Sequence, residues 1–169
     1  FNNNDFGTFQ ICAYGEEDDG GGGGGGDPDD PDLQVETINI TDDDPNEGQT
    51  VTVTASVENE CDSYTAGSSE VHFYFSDDCD LDEDDDTYLG NTSTSALDEC
   101  DNDEDDLTFN IPSVSYSGIY YIIAKADGDD EVVEESEGNN TACLEIEVDD
   151  LGEGFADLTA IWYELHPNP

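Results

Sequence analysis

Apolar and polar residues alternate along most of this chain with a period of two, the spacing of a strand with one buried face. The clearest run is 50–58, where Val51, Val53, Ala55 and Val57 form one face and Thr52, Thr54 and Ser56 the other. Leu33–Ile40 precedes it. In 70–76, Val71, Phe73 and Phe75 oppose His72 and Tyr74, and 87–97 is a longer run broken by Gly90. Leu107, Phe109 and Ile111 alternate before Pro112, and 118–126 is the most apolar run, as a central strand should be. Ala142, Leu144, Ile146 and Val148 alternate with Cys143, Glu145 and Glu147. No stretch carries a helical period. These strands, separated by loops rich in Asp, Gly and Asn, predict an all-β fold, a seven-stranded antiparallel sandwich. Tyr120 is a candidate tyrosine-corner residue in the sixth strand; an ordinary core or surface tyrosine is the alternative.

Two further runs lie outside that set. Residues 8–14 place Phe9, Ile11 and Ala13 on one face, and 157–165 place Leu158, Ala160 and Trp162 on one face with Ile161, Tyr163 and Leu165 on the other. Between the first run and the sandwich come Glu16–Asp19, the glycines Gly20 to Gly26 and a Pro-containing acidic stretch, a flexible linker that stiffens toward its end. The tail echoes the head of the sandwich: Ala156-Asp157-Leu158-Thr159-Ala160 resembles Pro31-Asp32-Leu33-Gln34-Val35. Likewise Asn3-Asn4 before Phe9-Gln10-Ile11 resembles Asn139-Asn140 before Leu144-Glu145-Ile146. The expected organisation is an N-terminal strand in 1–15, a linker in 16–30, the sandwich in 31–149, and a C-terminal linker and strand in 150–169. The extra N- and C-terminal strands are expected to pair with neighbouring copies, through Phe9, Ile11, Ala13, Leu158 and Trp162. A cut through a tandem array is the alternative.

Charge narrows the partners. The 169 residues carry 47 Asp and Glu against a single basic residue, Lys125, for a net charge of -46. Nucleic-acid binding needs Lys and Arg to displace counterions, so it is excluded. Attraction to anionic lipid is excluded on the same ground. No apolar run approaches the ~20 residues of a membrane helix, so no membrane insertion is expected. A chain this acidic repels itself unless cations screen it, which points to divalent metal or high salt in its surroundings. The chain has no Met, which reads as a mature or internal segment. Five cysteines and three sequons, at Asn39, Asn91 and Asn139, point to the outside of a cell and to N-linked glycans.

The chemistry open to such a chain is oxygen ligation. Calcium takes six to eight hard oxygens, and carboxylates at alternate positions converge when a loop curls. Asp77, Asp78, Asp80, Asp82, Asp84 and Asp86 in the loop 77–86 are the first candidates. Asp101, Asp103 and Asp105, with Glu104 and Asp106, form a second cluster, and Asp127, Asp129, Asp130 and Glu131 a third. The EF-hand pattern is not met, because Glu83 stands where its glycine belongs. Solvated acidic loops adapted to salt are the alternative. His72 and His166 are isolated, and there is no Cys-x-x-Cys, so zinc is not suggested and His72 reads as a plain surface histidine. The glycine run lacks the Lys-Ser/Thr of a phosphate loop, and no Ser-His-Asp set is recognisable, so no enzyme is expected. Among the cysteines, alternation of strand direction puts Cys61, Cys100 and the start of the last strand, with Cys143, near one end of the sandwich and Cys79 near the other. Cys61–Cys100 is the favoured pair, and Cys12 the candidate for the odd thiol, free or bonded between chains.

The stretches Pro31-Asp32-Leu33, Gly48-Gln49-Thr50-Val51-Thr52-Val53, Val57-Glu58-Asn59, Phe75-Ser76-Asp77-Asp78 with Leu81-Asp82, Asp86-Thr87-Tyr88-Leu89-Gly90, Gly118-Ile119-Tyr120 and Val133 through Thr141 together resemble the CARDB family, the cell-adhesion-related domain of bacteria and archaea. The resemblance covers 31–148. It implies a seven-stranded immunoglobulin-like sandwich in secreted, often tandemly repeated surface proteins, without catalytic residues. The loop cysteines and extra acids depart from it. The function expected is a structural subunit of an extracellular filament or surface array, a head-to-tail polymer of copies stabilised by calcium and glycans. A repeat of a large secreted adhesin or ligand-binding surface protein is the alternative.

Overall fold

The computed structural model describes residues 30–61 and 64–151. Its elements are β1 (Leu33–Ile40), β2 (Thr50–Asn59), β3 (Ser69–Ser76), β4 (Thr87–Thr94), β5 (Asn102–Asn110), β6 (Gly118–Lys125) and β7 (Thr141–Val148). They form two antiparallel sheets, one ordered β1-β2-β5 and the other β4-β3-β6-β7. The residues called Phe9, Ile11, Ala13, Cys12, Leu158, Trp162 and His166, with the glycine run, lie outside the described residues.

The core lies between the sheets and is built from the predicted inward faces. Val53, Ala55 and Val57 of β2 are fully buried, as are Val71 and Phe73 of β3 and Ile122 and Ala124 of β6. The alternation changes parity twice, and each change coincides with a bulge. On β1 the register slips between Val35 and Thr37. Leu33 and Val35 face the core before the slip, and Ile38 and Ile40 pack against it after. An extra residue in one strand moves the following side chains to the other parity, which is why both pairs reach one core. On β4 the ladder shifts opposite Phe73 and Tyr74. Gly90 stands at that shift with φ of 140°, a conformation that favours glycine, and a Cβ there would meet Leu107 Cδ1 at 3.3 Å. The sequence break at Gly90 is therefore a bulge, and Leu89 packs against the core beside it.

The tyrosine corner is present. Tyr120 is buried, stacks on Phe75 with ring centroids 5.0 Å apart, and donates its hydroxyl to the Tyr116 carbonyl at 3.1 Å.

Two expectations are corrected. The acidic run expected to be a loop at 101–106 is mostly strand: Asp103 and Asp105 lie in β5, opposite Val57 and Ala55 of β2. Their side chains meet polar partners at the end of β4 and just beyond it in place of an apolar core. Asp105 Oδ2 accepts from Thr94 Oγ1 at 2.6 Å, and Asp103 Oδ2 accepts from the Ser95 amide at 3.0 Å. Burial raises the Asp105 carboxyl above its usual range, while hydrogen bonds from Ser95 hold Asp103 below it. The second correction concerns the cysteines. Cys61–Cys100 is bonded as expected, with Cα atoms 4.5 Å apart. Cys79, placed by strand direction at the opposite end from Cys143, is in fact bonded to it, with Cα atoms 5.7 Å apart. The loop after β3 doubles back over the outer face of the four-stranded sheet and so carries Cys79 toward β7.

Candidate metal centre on the outer sheet face

That outer face is built from the side chains of β3, β4 and β6 that point away from the core. Pairing in the ladders sets His72 opposite Asn91 and Lys125, and Tyr74 opposite Tyr88 and Ile123. A central strand has neighbours on both sides, and here loops also cover it. Tyr74 and Ile123 are 5% and 1% exposed although they face outward. The cover has two parts, the loop 77–86 tethered through Cys79–Cys143 and the turn 127–131 after β6. Lys125, the chain's one basic residue, clamps both: its Nζ lies 3.1 Å from Asp130 Oδ1, 3.5 Å from Glu83 Oε1 and 3.3 Å from the Gly128 carbonyl. In the turn, the Gly128 amide donates to the Glu70 carbonyl at 2.8 Å, and Asp127 Oδ2 accepts from the Val132 amide at 2.8 Å.

His72 is accordingly 9% exposed, not the surface histidine its position on the polar parity suggested. Its ring lies edge-on to Tyr88, centroids 5.4 Å apart. Gly128 passes so close that a Cβ there would meet the imidazole Cγ at 2.2 Å. The His72 Nε2 atom is buried without a hydrogen-bond partner. It stands 3.6 Å from Glu70 Oε2 and 3.6 Å from Asp129 Oδ1. Among the described residues, Glu70, His72 and Asp129 are the one group of three metal-type ligands whose donor atoms all lie within 4.8 Å of one another. Asn91 Nδ2 donates to Glu70 Oε2 and orients that carboxylate.

The acids singled out for calcium are arranged differently. In the loop 77–86 they make local turns: Asp78 Oδ1 accepts from the Asp80 amide at 2.9 Å, Asp82 Oδ1 from the Asp84 amide at 3.1 Å, and Asp86 Oδ2 from the Asp82 amide at 2.8 Å. Asp77 and Asp84 are exposed. Asp101 Oδ1 accepts from the Asn102 amide at 3.0 Å, and Asp103 and Asp105 face β4 as described above. Of the third cluster, Asp129 joins the group around His72. The sequence pointed to Asp129 but not to Glu70 or His72, whose signal was an imidazole two residues from a carboxylate on one strand face. Of the sequons, Asn39 is exposed on β1 and Asn91 is exposed beside Glu70. Asn139 is half-buried, and its Nδ2 donates to Asp32 Oδ1 at 3.0 Å.

The fold is an immunoglobulin-like β-sandwich, and the comparisons with known proteins place it more narrowly. The CARDB family model matches residues 30–143, and the chain belongs to this family of surface- and adhesion-related, non-catalytic domains. Among solved structures it is similar to the CARDB domain of the PF1109 protein of Pyrococcus furiosus, crystallised in complex with di-metal ions. That match has 21% identity and a TM-score of 0.53, covering 72% of this chain and 96% of that one. The solution structure of the same Pyrococcus furiosus domain matches with 23% identity and a TM-score of 0.51, covering 72% and 97%. No curated protein matches the chain. Among the described residues, no helix is long and apolar enough to cross a membrane.

Proposed function

We propose that this chain is a non-catalytic structural subunit of an extracellular filament or surface array, assembled by strand exchange between copies and stabilised by calcium and N-linked glycans. The observation that carries this reading is that, among the described residues, seven strands between Leu33 and Val148 form both sheets. The strand-like runs 8–14 and 157–165 of the sequence are additional to those seven. A lone strand cannot satisfy its backbone or bury its apolar face, and even a two-stranded hairpin is marginal in water. The sheet margins β1, β5, β4 and β7 offer edges to which an added strand bonds through its main chain. Donation from copy to copy is a heterologous contact, and where the rotation does not close it propagates a filament. Two disulfides support an oxidising location. The metal-bearing Pyrococcus furiosus domain supports a cation requirement, and exposed Asn39 offers an accessible glycan acceptor. The repeat of 31–35 in 156–160 favours one other reading, a repeat of a large adhesin. Deletion of residues 1–15 separates the two. The expected variant folds, by circular dichroism, and no longer polymerises; polymerisation at the full-length rate rules out donation by the first strand.

A further inference from the structure

We propose that Glu70, His72 and Asp129 bind one divalent transition-metal ion, with zinc the fitting probe, and that the ion fastens the turn after β6 to β3. This does not rest on strand exchange, and it concerns a different site and a different ion from the acidic-loop calcium.

The first ground is geometry. A zinc ion about 2.1 Å from each donor at a tetrahedral angle holds donor atoms about 3.4 Å apart. His72 Nε2 stands 3.6 Å from one oxygen of Glu70 and 3.6 Å from one of Asp129. Those gaps are too long for hydrogen bonds, yet within a few tenths of an ångström of the span across a bound ion.

The second ground is the imidazole nitrogen itself. It is buried, it has no hydrogen-bond partner, and it is aimed between two carboxylates. A buried polar atom left unpaired costs about 1–3 kcal/mol, so its direction calls for an occupant. The contact with Gly128 fixes the ring in that direction, because the turn backbone lies against its other side.

The third ground is donor chemistry. Carboxylates alone suit calcium, whereas imidazole suits zinc and its transition-metal neighbours. One imidazole with two carboxylates neutralises a divalent charge. Asn91, bonded to Glu70 Oε2, supplies the outer hydrogen bond that commonly orients a ligand. The ion would join Glu70 and His72 on β3 to Asp129 on the turn, where the Gly128 amide already bonds the Glu70 carbonyl.

The alternative for the same atoms is a protonated histidine held between two acids. The test must tell the two apart, and it must see past weak zinc uptake by the many other carboxylates. The full chain, stripped with EDTA, is titrated with zinc chloride in millimolar calcium while the imidazole nitrogens are followed by NMR. His166 serves as the internal control. The expected result is a shift of His72 Nε2 that saturates at one equivalent and a higher melting temperature. Calcium alone should leave the His72 nitrogen unmoved. Asp129 is exposed, so Asp129→Asn should fold, and it should weaken the zinc-induced His72 shift about tenfold or more, on the scale at which even outer-shell changes act. Glu70→Gln should do the same. A His72 nitrogen that stays protonated and unmoved by zinc overturns the proposal in favour of the ion pair. An undiminished response in Asp129→Asn, or one-for-one competition by calcium, overturns it too.

Discussion

Glu134 is 1% exposed and stands where the segment after β6 meets the start of β1. Its Oε2 accepts from the Leu33 amide, and its Oε1 accepts from Asn140 Nδ2 at 3.0 Å. Nearby, Asn139 bonds Asp32, and the Asp32 amide donates to Asn59 Oδ1 at 3.1 Å. Burial pushes the Glu134 carboxyl up to about 8, above its ordinary 4.5. Between those values the folded chain keeps a proton that the unfolded chain has released, so this group makes stability fall as pH rises through the window. Glu134→Gln should remove that dependence. Asn140 Oδ1 has no hydrogen-bond partner, so the Asn140 amide can turn over to meet the new donor. Urea unfolding at pH 5 and pH 8 should show a smaller loss of stability in the variant than in the parent; an equal loss would mean that Glu134 does not titrate there. These residues all fall within stretches that carry the CARDB resemblance, so their importance was legible but their reason was not. Alternation along a strand reports which face a residue takes. It does not report that Asn139 will meet Asp32 across 107 positions. His72 shows the same limit, since parity correctly put it opposite Phe73, and only the loops folded over that face determine that it is buried.

At the scale of elements, strands with apolar inward faces were readable and strands with polar inward faces were not. β2 matched its pattern along nearly its whole length because every second residue meets the core. β5 was recognised only from Leu107 onward, since its first inward residues, Asp103 and Asp105, meet the Ser95 amide and the Thr94 hydroxyl instead of apolar side chains. The loop 77–86 was the harder case. Its composition describes a solvated acidic segment, yet it lies over Tyr74 and Ile123, held by Cys79–Cys143 and by Lys125 against Glu83. The bridge spans 64 residues. In the loop-closure picture a crosslink of that span stabilises by about 4 kcal/mol, chiefly by restricting the unfolded chain. Replacing both cysteines, Cys79→Ser with Cys143→Ser, should therefore lower the free energy of urea unfolding by roughly 2–4 kcal/mol, while far-ultraviolet circular dichroism keeps its β signature. Unchanged unfolding would show that the loop is held in place by its polar contacts alone.

At the scale of the whole molecule, 47 acids and one lysine set the terms on which the sandwich survives. Carboxylates crowd the loop 77–86, the strand β5 and the turn 127–131, and repulsion among them favours the expanded chain. Simple salt relieves this by screening, with a Debye length of ~10 Å at 0.1 M falling to ~3 Å at 1 M. Calcium acts differently, because an ion that binds the native arrangement and not the unfolded chain stabilises by mass action. The oxygens of Asp78, Asp82 and Asp86 that accept backbone amides curl the loop, and each of these carboxylates has a second oxygen with which to meet a cation. Melting temperature should therefore rise with sodium chloride, and rise further when millimolar calcium replaces EDTA at fixed ionic strength. The increment from calcium should persist in His72→Asn, because imidazole is no ligand for it, whereas any increment from zinc through His72 should vanish. Asp80→Asn with Asp82→Asn and Asp84→Asn, all exposed positions, should shrink the calcium increment while leaving the response to sodium chloride in place. A melting temperature that calcium does not move at fixed ionic strength would falsify specific binding and leave charge screening as the whole effect.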